Sequence, residues 1–372
     1  MLSAAEAAEA IDSGGIVLMP TETVFGLAVS ATRLASIDRL WAAISAGRGV
    51  PPKREPLAWH VASTDQVSAQ VGPFSAVHAR LMERLAPGPV LWAIQLSAER
   101  LDTLRRSLDV DEGVFDDGSE LLVRVTSHPG ARAILRTARV PVVAAGISAG
   151  AGEHLRDADD ALRVLERSPD TGAASGLLAG VFDEPPPPMG RASTLIRLRA
   201  DGTYIVAREG VFDSAYVSRQ VQRRVLFVCT GNTCRSPMAE AIARDVLKTA
   251  GDRGVPIEVR SAGVSAYPGE PMTSEAAQAL RLLGIDPRRH TSTPLSREML
   301  NEADVVFAMT ASHAAAARSI DAASAGKVLL LDPAGRDIPD PIGSPLDVYE
   351  GTARTIRGMI ESRFKELDLV GE

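Results

Sequence analysis

Val225-Leu-Phe-Val-Cys-Thr-Gly-Asn-Thr-Cys-Arg-Ser-Pro-Met-Ala-Glu240 decides the reading of the second half of the chain. Four apolar residues lead into Cys229, and Arg235 follows after five more. A short apolar run of this kind reads as a buried strand. Ser236-Pro237 then reads as a helix start, because Ser is a favoured N-cap and Pro is favoured at the first helical position. A loop between a strand and a helix N-terminus gathers backbone N–H groups and the positive helix end on one point, a cradle for an oxyanion or phosphate. Arg235 adds a planar fork able to hold two phosphate oxygens together. The same field acts on Cys229. A free thiol titrates at about 8.5, and a helix N-terminus with a neighbouring cation lowers that. The expectation is a thiolate nucleophile beside a bound phosphoryl group, hence phosphoryl transfer through a phosphocysteine. Cys-x5-Arg alone is a weak signal, since buried inert cysteines are common. The strand before it, Gly231-Asn232 in the turn and the Ser-Pro start give it weight.

Outward from this loop, periodicity predicts helices over 237–249, 274–283, 312–320 and 346–367, with strands near 257–264, 304–309 and 327–331. Such alternation with short connections implies a doubly wound parallel sheet covered on both faces, with its ligand crevice at the strands' carboxyl ends. Residues 214–224 are polar and basic and lose strand character, so the domain boundary is expected at a linker over 213–222, with domains over 1–212 and 223–372. The first domain mixes helical stretches (4–11, 31–45, 129–137) with β-like runs (15–20, 120–125, 140–144, 193–198, 203–207), which reads as α/β with a mixed, twisted sheet. Residues 183–189, Asp-Glu-Pro-Pro-Pro-Pro-Met, read as a polyproline II-like surface loop.

The chain has 372 residues, enough for two ordinary cores, and a net charge of −7 spread over both halves. Neither half has the basic excess of a nonspecific nucleic-acid binder. The acidic N-terminus lacks the basic start and apolar run of a secretory signal, and no stretch reaches the roughly 18 apolar residues of a membrane span, so the cytoplasm and no membrane partner are expected. Two cysteines, Cys229 and Cys234, exclude a disulfide-stapled fold and a four-thiolate zinc site; no metal is expected at the loop.

The loop, with Ser261-Ala-Gly263, Gly284-Ile285, His290, Ala303-Asp304, Met309-Thr310 and Asp337-Ile-Pro-Asp-Pro341, resembles the low-molecular-weight protein tyrosine phosphatases, above all their protein-arginine phosphatase branch. The resemblance covers residues 223–370. It implies a phosphorylated protein substrate, no cofactor, and catalytic Cys229, Arg235 and Asp340. It implies phosphate binding by Thr230, Gly231, Asn232, Thr233, Cys234 and Ser236, with the loop braced by Ser261 and His290. Asp340 is the implied general acid, needed because a phenolate with pKa about 10 leaves poorly unless protonated; Asp337 is its competitor. Thr233 in place of a bulky aliphatic residue implies phosphoarginine, while Ile342 departs from the aromatic residue expected there. Cys234 lies where a disulfide with Cys229 could protect the nucleophile, or is a small buried filler. The related thiol-coupled arsenate reductases need cysteines that this chain lacks.

Gly14-Gly-Ile-Val-Leu-Met-Pro-Thr-Glu-Thr-Val-Phe-Gly-Leu27, with Ala86-Pro-Gly-Pro89, Leu122-Val-Arg-Val125, His128-Pro129, Ser193-Thr194 and Arg208, resembles the YrdC-like threonylcarbamoyl-AMP synthases over residues 3–212. That implies a cleft for threonine, bicarbonate, ATP and Mg²⁺ in tRNA modification, with tRNA, other double-stranded RNA or a nucleotide as partner. The implied ligand residues are Thr21, Thr23, Arg48, Lys53, Arg124, Ser193 and Arg208. Three positions depart from the family pattern. Ala46-Gly-Arg48 lacks the basic pair's lysine unless Lys53-Arg54 replaces it, Phe25 stands for a tyrosine, and Ala145-Gly-Ile-Ser148 stands for Pro-Ser-Ala-Asn. ATP phosphates need cations and Mg²⁺ for neutralisation. The leading expectation is a cysteine-dependent phosphatase carrying a degenerate YrdC-like domain. The alternatives are a bifunctional enzyme and an RNA- or nucleotide-binding module with a regulatory phosphatase half.

Overall fold

The computed structural model describes residues 1–48, 55–147, 158–166, 178–182, 189–250 and 255–370. The chain divides into two compact units, Met1–Gln220 and Val221–Glu372. Lys53, Ser148 and residues 183–188 of the proline-rich stretch lie outside the described residues, as does the side chain of Arg48.

In the first unit the described strands are β1 (Ile16–Pro20), β2 (Phe25–Ser30), β3 (Ala58–Val61), β4 (Val90–Gln95), β5 (Glu120–Val125), β6 (Val142–Gly146), β7 (Leu178–Val181), β8 (Thr194–Leu198) and β9 (Tyr204–Arg208). They form one sheet in the order β7-β1-β2-β6-β3-β5-β4-β8-β9. Pairing is mixed, with β1–β7, β3–β5 and β4–β8 parallel and the other neighbours antiparallel. β1 and β2 are buried at every position, which is why they read as continuous apolar runs without alternation. Their connection, Thr21–Val24, closes on itself: Thr21 Oγ1 donates to the Val24 carbonyl at 2.6 Å and accepts from the Val24 N–H at 3.3 Å. That turn holds Glu22 and Thr23 at the end of the hairpin.

The stretch expected as a linker contains the division between the units and is helical over Ser214–Val221. Asp213 Oδ1 accepts from the Tyr216 N–H at 2.6 Å, and Val217 and Val221, one helical turn apart, are buried. Two valines among polar residues gave too faint a periodicity to read.

The second unit is a parallel sheet of β10 (Arg223–Cys229), β11 (Ile257–Gly263), β12 (Val305–Ala308) and β13 (Val328–Leu330), ordered β11-β10-β12-β13. Alternation along β10 assigns its residues to two cores. Val225, Phe227 and Cys229 pack with Met238, Ile242, Leu280 and Ile356. Leu226 and Val228 pack with Leu300, Ala314 and Ala317. Helices therefore cover both faces, as expected. Strand order reverses direction at β10, so the loop after Cys229 opens at the switch point where doubly wound sheets bind ligands. Among the described residues no helix is long and apolar enough to cross a membrane.

Candidate functional site

The helix after the loop spans Arg235–Ala250, so it begins before Ser236 and Ser236 is not its cap. The Ser236 hydroxyl turns inward instead, 2.9 Å from Cys229 Sγ, and accepts from Asn232 Nδ2 at 2.9 Å. Asn232 adopts a left-handed conformation, φ +56°, the short polar exception among side chains, and this brings its own N–H onto Cys229 Sγ at 3.3 Å. The loop thus coils around the sulfur.

Hydrogen inventory gives the bracing a direction. The Asn232 amide donates to both Ser236 and Ser261, each at 2.9 Å. Ser261 in turn donates to Glu240, whose other carboxylate oxygen accepts from Arg244. Asn232 Oδ1 accepts from the Thr293 N–H at 2.8 Å. His290 Nε2 donates to the Asn232 carbonyl at 2.7 Å, which fixes its tautomer because a carbonyl can only accept. With its lone pair taken by Asn232, the Ser236 proton is left to aim at Cys229 or, at 3.3 Å, at the Ala262 carbonyl. Gly263 makes the close approach possible: a Cβ there would meet the Thr230 carbonyl at 2.4 Å and the Asn232 nitrogen at 2.9 Å.

Arg235 is 4% exposed. Nη1 donates to the Ile338 carbonyl at 3.0 Å, and Nη2 to Thr230 Oγ1 at 3.4 Å and to the Asp340 carboxylate. Nε is buried with no hydrogen-bond partner, a guanidinium donor left unpaired inside an anion cradle. Asp337, the competitor for the acid, accepts from the Ala311 N–H at 2.7 Å at the start of the Ala311–Ile320 helix. Asp340, with a 38% exposed side chain, is the carboxylate brought to Arg235.

One expectation is corrected. Burial pushes the Cys229 thiol up, and the bonds from Ser236 and Asn232 and the charge of Arg235 oppose it without prevailing. Cys229 is only 2% exposed.

Cys229 and Cys234 are both free thiols. Cys234 faces Thr273 Oγ1 at 3.5 Å and the Tyr349 hydroxyl at 3.7 Å; burial, with Cys234 beside it, pushes the Tyr349 phenol up to about 12. Thr233 is half-buried, its carbonyl held by the Thr273 N–H at 3.0 Å and its hydroxyl 3.7 Å from Cys234 Sγ, and Gly231 precedes Asn232 in the turn. Two contributors were not read from the sequence, Glu240 and His313. His313 lies beyond the loop in sequence, and its Nε2 is 2.8 Å from Thr230 Oγ1.

In the first unit Thr21, Thr23, Arg124 and Ser193 gather around Glu22, a residue the sequence reading passed over. Arg124 Nη2 donates to Glu22 Oε1 and Thr23 Oγ1, both at 2.8 Å, and Nη1 donates to Ser193 Oγ. Glu22 Oε2 accepts from Thr126 Oγ1 at 2.5 Å and the Ser127 N–H at 3.2 Å. Burial raises the Glu22 carboxyl, but Arg124 and these donors together hold it below the usual carboxylate range. Arg208, exposed, donates to the Ser193 carbonyl at 3.1 Å. His60 is buried nearby, and desolvation with the Arg124 charge lowers it to about 4.

Known proteins fall on the same two units. Residues 224–369 match the family model described as low molecular weight phosphotyrosine protein phosphatase, and residues 9–210 match the Sua5, YciO and YrdC model, described as telomere recombination. A protein-arginine-phosphatase of Bacillus subtilis (strain 168) is 37% identical over 147 residues, covering 38% of this chain and 95% of that protein. The low molecular weight protein-tyrosine-phosphatase Etp of Escherichia coli (strain K12) is 31% identical over 144 residues, covering 38% and 90%. A crystal structure of a YwlE mutant from Bacillus subtilis shares 35% identity with a TM-score of 0.37, covering 39% of this chain and 99% of that one. The chain belongs to the low-molecular-weight protein phosphatase family through its second unit and to the YrdC-like family through its first.

Proposed function

We propose that the second unit dephosphorylates protein side chains through a phosphocysteine on Cys229, with phosphoarginine preferred over phosphotyrosine. The observation that carries this is Arg235: a buried guanidinium with an unpaired Nε–H, beside a buried thiol, in a loop of inward N–H groups at the sheet's switch point. As the substrate binds, Asp340 leaves Arg235 and takes the Cys229 proton; the thiolate then attacks phosphorus and the P–N or P–O bond breaks, the leaving group taking that proton from Asp340. Asp340, now a carboxylate, takes a proton from the water that attacks phosphorus. The S–P bond then breaks, and inorganic phosphate and free Cys229 remain. Thr233 supports the phosphoarginine preference, because its short hydroxyl side chain leaves room for a guanidinium where a branched hydrocarbon would pack on a phenyl ring. The segment beyond Asp340 agrees, since residues 341–348 carry no aromatic side chain to stack on a tyrosine ring. The test compares kcat/KM for phosphoarginine and phosphotyrosine in the full chain and in Thr233→Ile. Wild type should favour phosphoarginine and the variant should move toward phosphotyrosine; an unchanged ratio, or a wild type favouring phosphotyrosine, refutes the preference.

For the first unit the reading is a ligand-holding or structural domain with little synthase activity. A triphosphate with Mg²⁺ does not fit the Arg124 cluster as it stands. Its cation is neutralised by Glu22.

A further inference from the structure

We propose that His313 is a positioning residue of the phosphate loop, holding the Thr230 hydroxyl against Arg235 so that the guanidinium stays aimed when Asp340 leaves it; this rests on the phosphatase reading above. His313 is 5% exposed. It spans two hydroxyls, Thr230 Oγ1 from Nε2 and Thr310 Oγ1 from Nδ1, each at 2.8 Å. Thr310 is itself fixed, since it caps the Ala311–Ile320 helix and accepts from the His313 N–H at 3.3 Å. Burial, then the Arg235 charge, lowers the imidazole's pKa, against the pull of Asp340 and Asp337. A neutral ring has one donor and one acceptor, which two hydroxyls satisfy completely.

The consequence lies at Arg235 Nη2. Its two partners are the Asp340 carboxylate and the Thr230 hydroxyl. A general acid must turn to the leaving group, and a bound phosphoryl group competes for the same donor. Thr230 is then the partner that remains. Its side chain is exposed, so the imidazole is what restrains its rotor. His313 thereby ties the start of the loop, through Thr310, to a helix on the opposite side of the sheet from the loop's own helix.

Two substitutions separate positioning from packing. In His313→Gln the amide reaches the place of Nε2 and keeps the Thr230 contact. In His313→Asn it reaches only the place of Nδ1 and keeps the Thr310 contact alone. Calorimetric Kd for inorganic phosphate, measured on the full chain, should weaken roughly three- to tenfold in His313→Asn and stay within about twofold in His313→Gln, the size of one net hydrogen bond. kcat/KM for p-nitrophenyl phosphate should fall in parallel, with thermal midpoints alike in the two variants. An unchanged Kd in His313→Asn, or equal losses in both variants tracking a fall in thermal midpoint, overturns the proposal. The binding readout needs no turnover. Phosphate binding with no hydrolysis by wild type would therefore sink the phosphatase reading while leaving the tie to Thr230 judged on its own result.

Discussion

In each unit a buried arginine at the candidate site meets a carboxylate, and the two pairs differ in where the carboxylate can go. Arg124 and Glu22 have side chains only 8% and 5% exposed, and Glu22 has further donors on its second oxygen. Arg235 is as deeply buried, yet its partner Asp340 is 38% exposed in a Pro- and Gly-containing loop. Removing a carboxylate from a buried arginine strands a charge in low dielectric. The Glu22 pair therefore acts as a fixed joint between the β1–β2 turn and β5. Asp340 can swing into water, and an incoming phosphoryl group can replace its charge on Arg235. The same pair of residue types is a lock in one unit and an exchangeable contact in the other.

That contrast breaks first at Asp340. Asp340→Asn should cut kcat on poor leaving groups by roughly 10²- to 10⁴-fold, and much less on activated aryl phosphates. Asp337→Asn should do little to the rate, because Asp337 is occupied with the Ala311 N–H; its cost in stability should be small, since the amide oxygen still accepts there. Stopped-flow rates on substrates of graded leaving-group pKa decide between them, and a larger rate loss in Asp337→Asn would reassign the acid.

Glu22→Gln sharpens the other side. It keeps the shape and some hydrogen bonds of the first unit's cluster but leaves Arg124 unpaired, so the first unit should lose about 3–5 kcal/mol in a denaturant titration. Phosphatase kcat/KM should not change. In the same preparations, threonine, bicarbonate and ATP should give little L-threonylcarbamoyladenylate from wild type. Robust product from wild type, or a neutral Glu22→Gln, would mean that Arg124 is available for a ligand after all.

Much of the second unit was legible because its signals are local. Strand, turn and helix follow one another within sixteen residues around Cys229, and β10 alternates cleanly between two cores. The bracing set was reached only through family resemblance, since Ser261 and His290 are far from the loop in sequence and near it in space. Glu240 was missed because an acidic residue in a helix's second turn looks like a solvated one, and His313 because its partner lies 83 residues away. In the first unit the helices Thr64–Val71, Ala76–Leu85, Ala98–Leu108 and Ala158–Glu166 were not read, and neither were strands β2, β3, β4 and β7. Charged residues dilute the Ala98–Leu108 pattern, and β2 is an apolar run with two small residues in its first four. The thiol's direction failed for a different reason. Sequence displays the helix and the arginine, but not how deeply Cys229 is buried.

The central claim is that Cys229 carries the phosphoryl group. Rapid-quench peptide mass analysis of the full-length Asp340→Ala variant, mixed with an activated aryl phosphate, tests it most directly, because slowed hydrolysis lets the intermediate accumulate. A stoichiometric phosphoryl adduct is expected on the peptide containing Cys229, formed with the burst of phenolate, and absent when Cys229→Ala is added. A burst of phenolate with no adduct on that peptide, or an adduct at another residue, would contradict it.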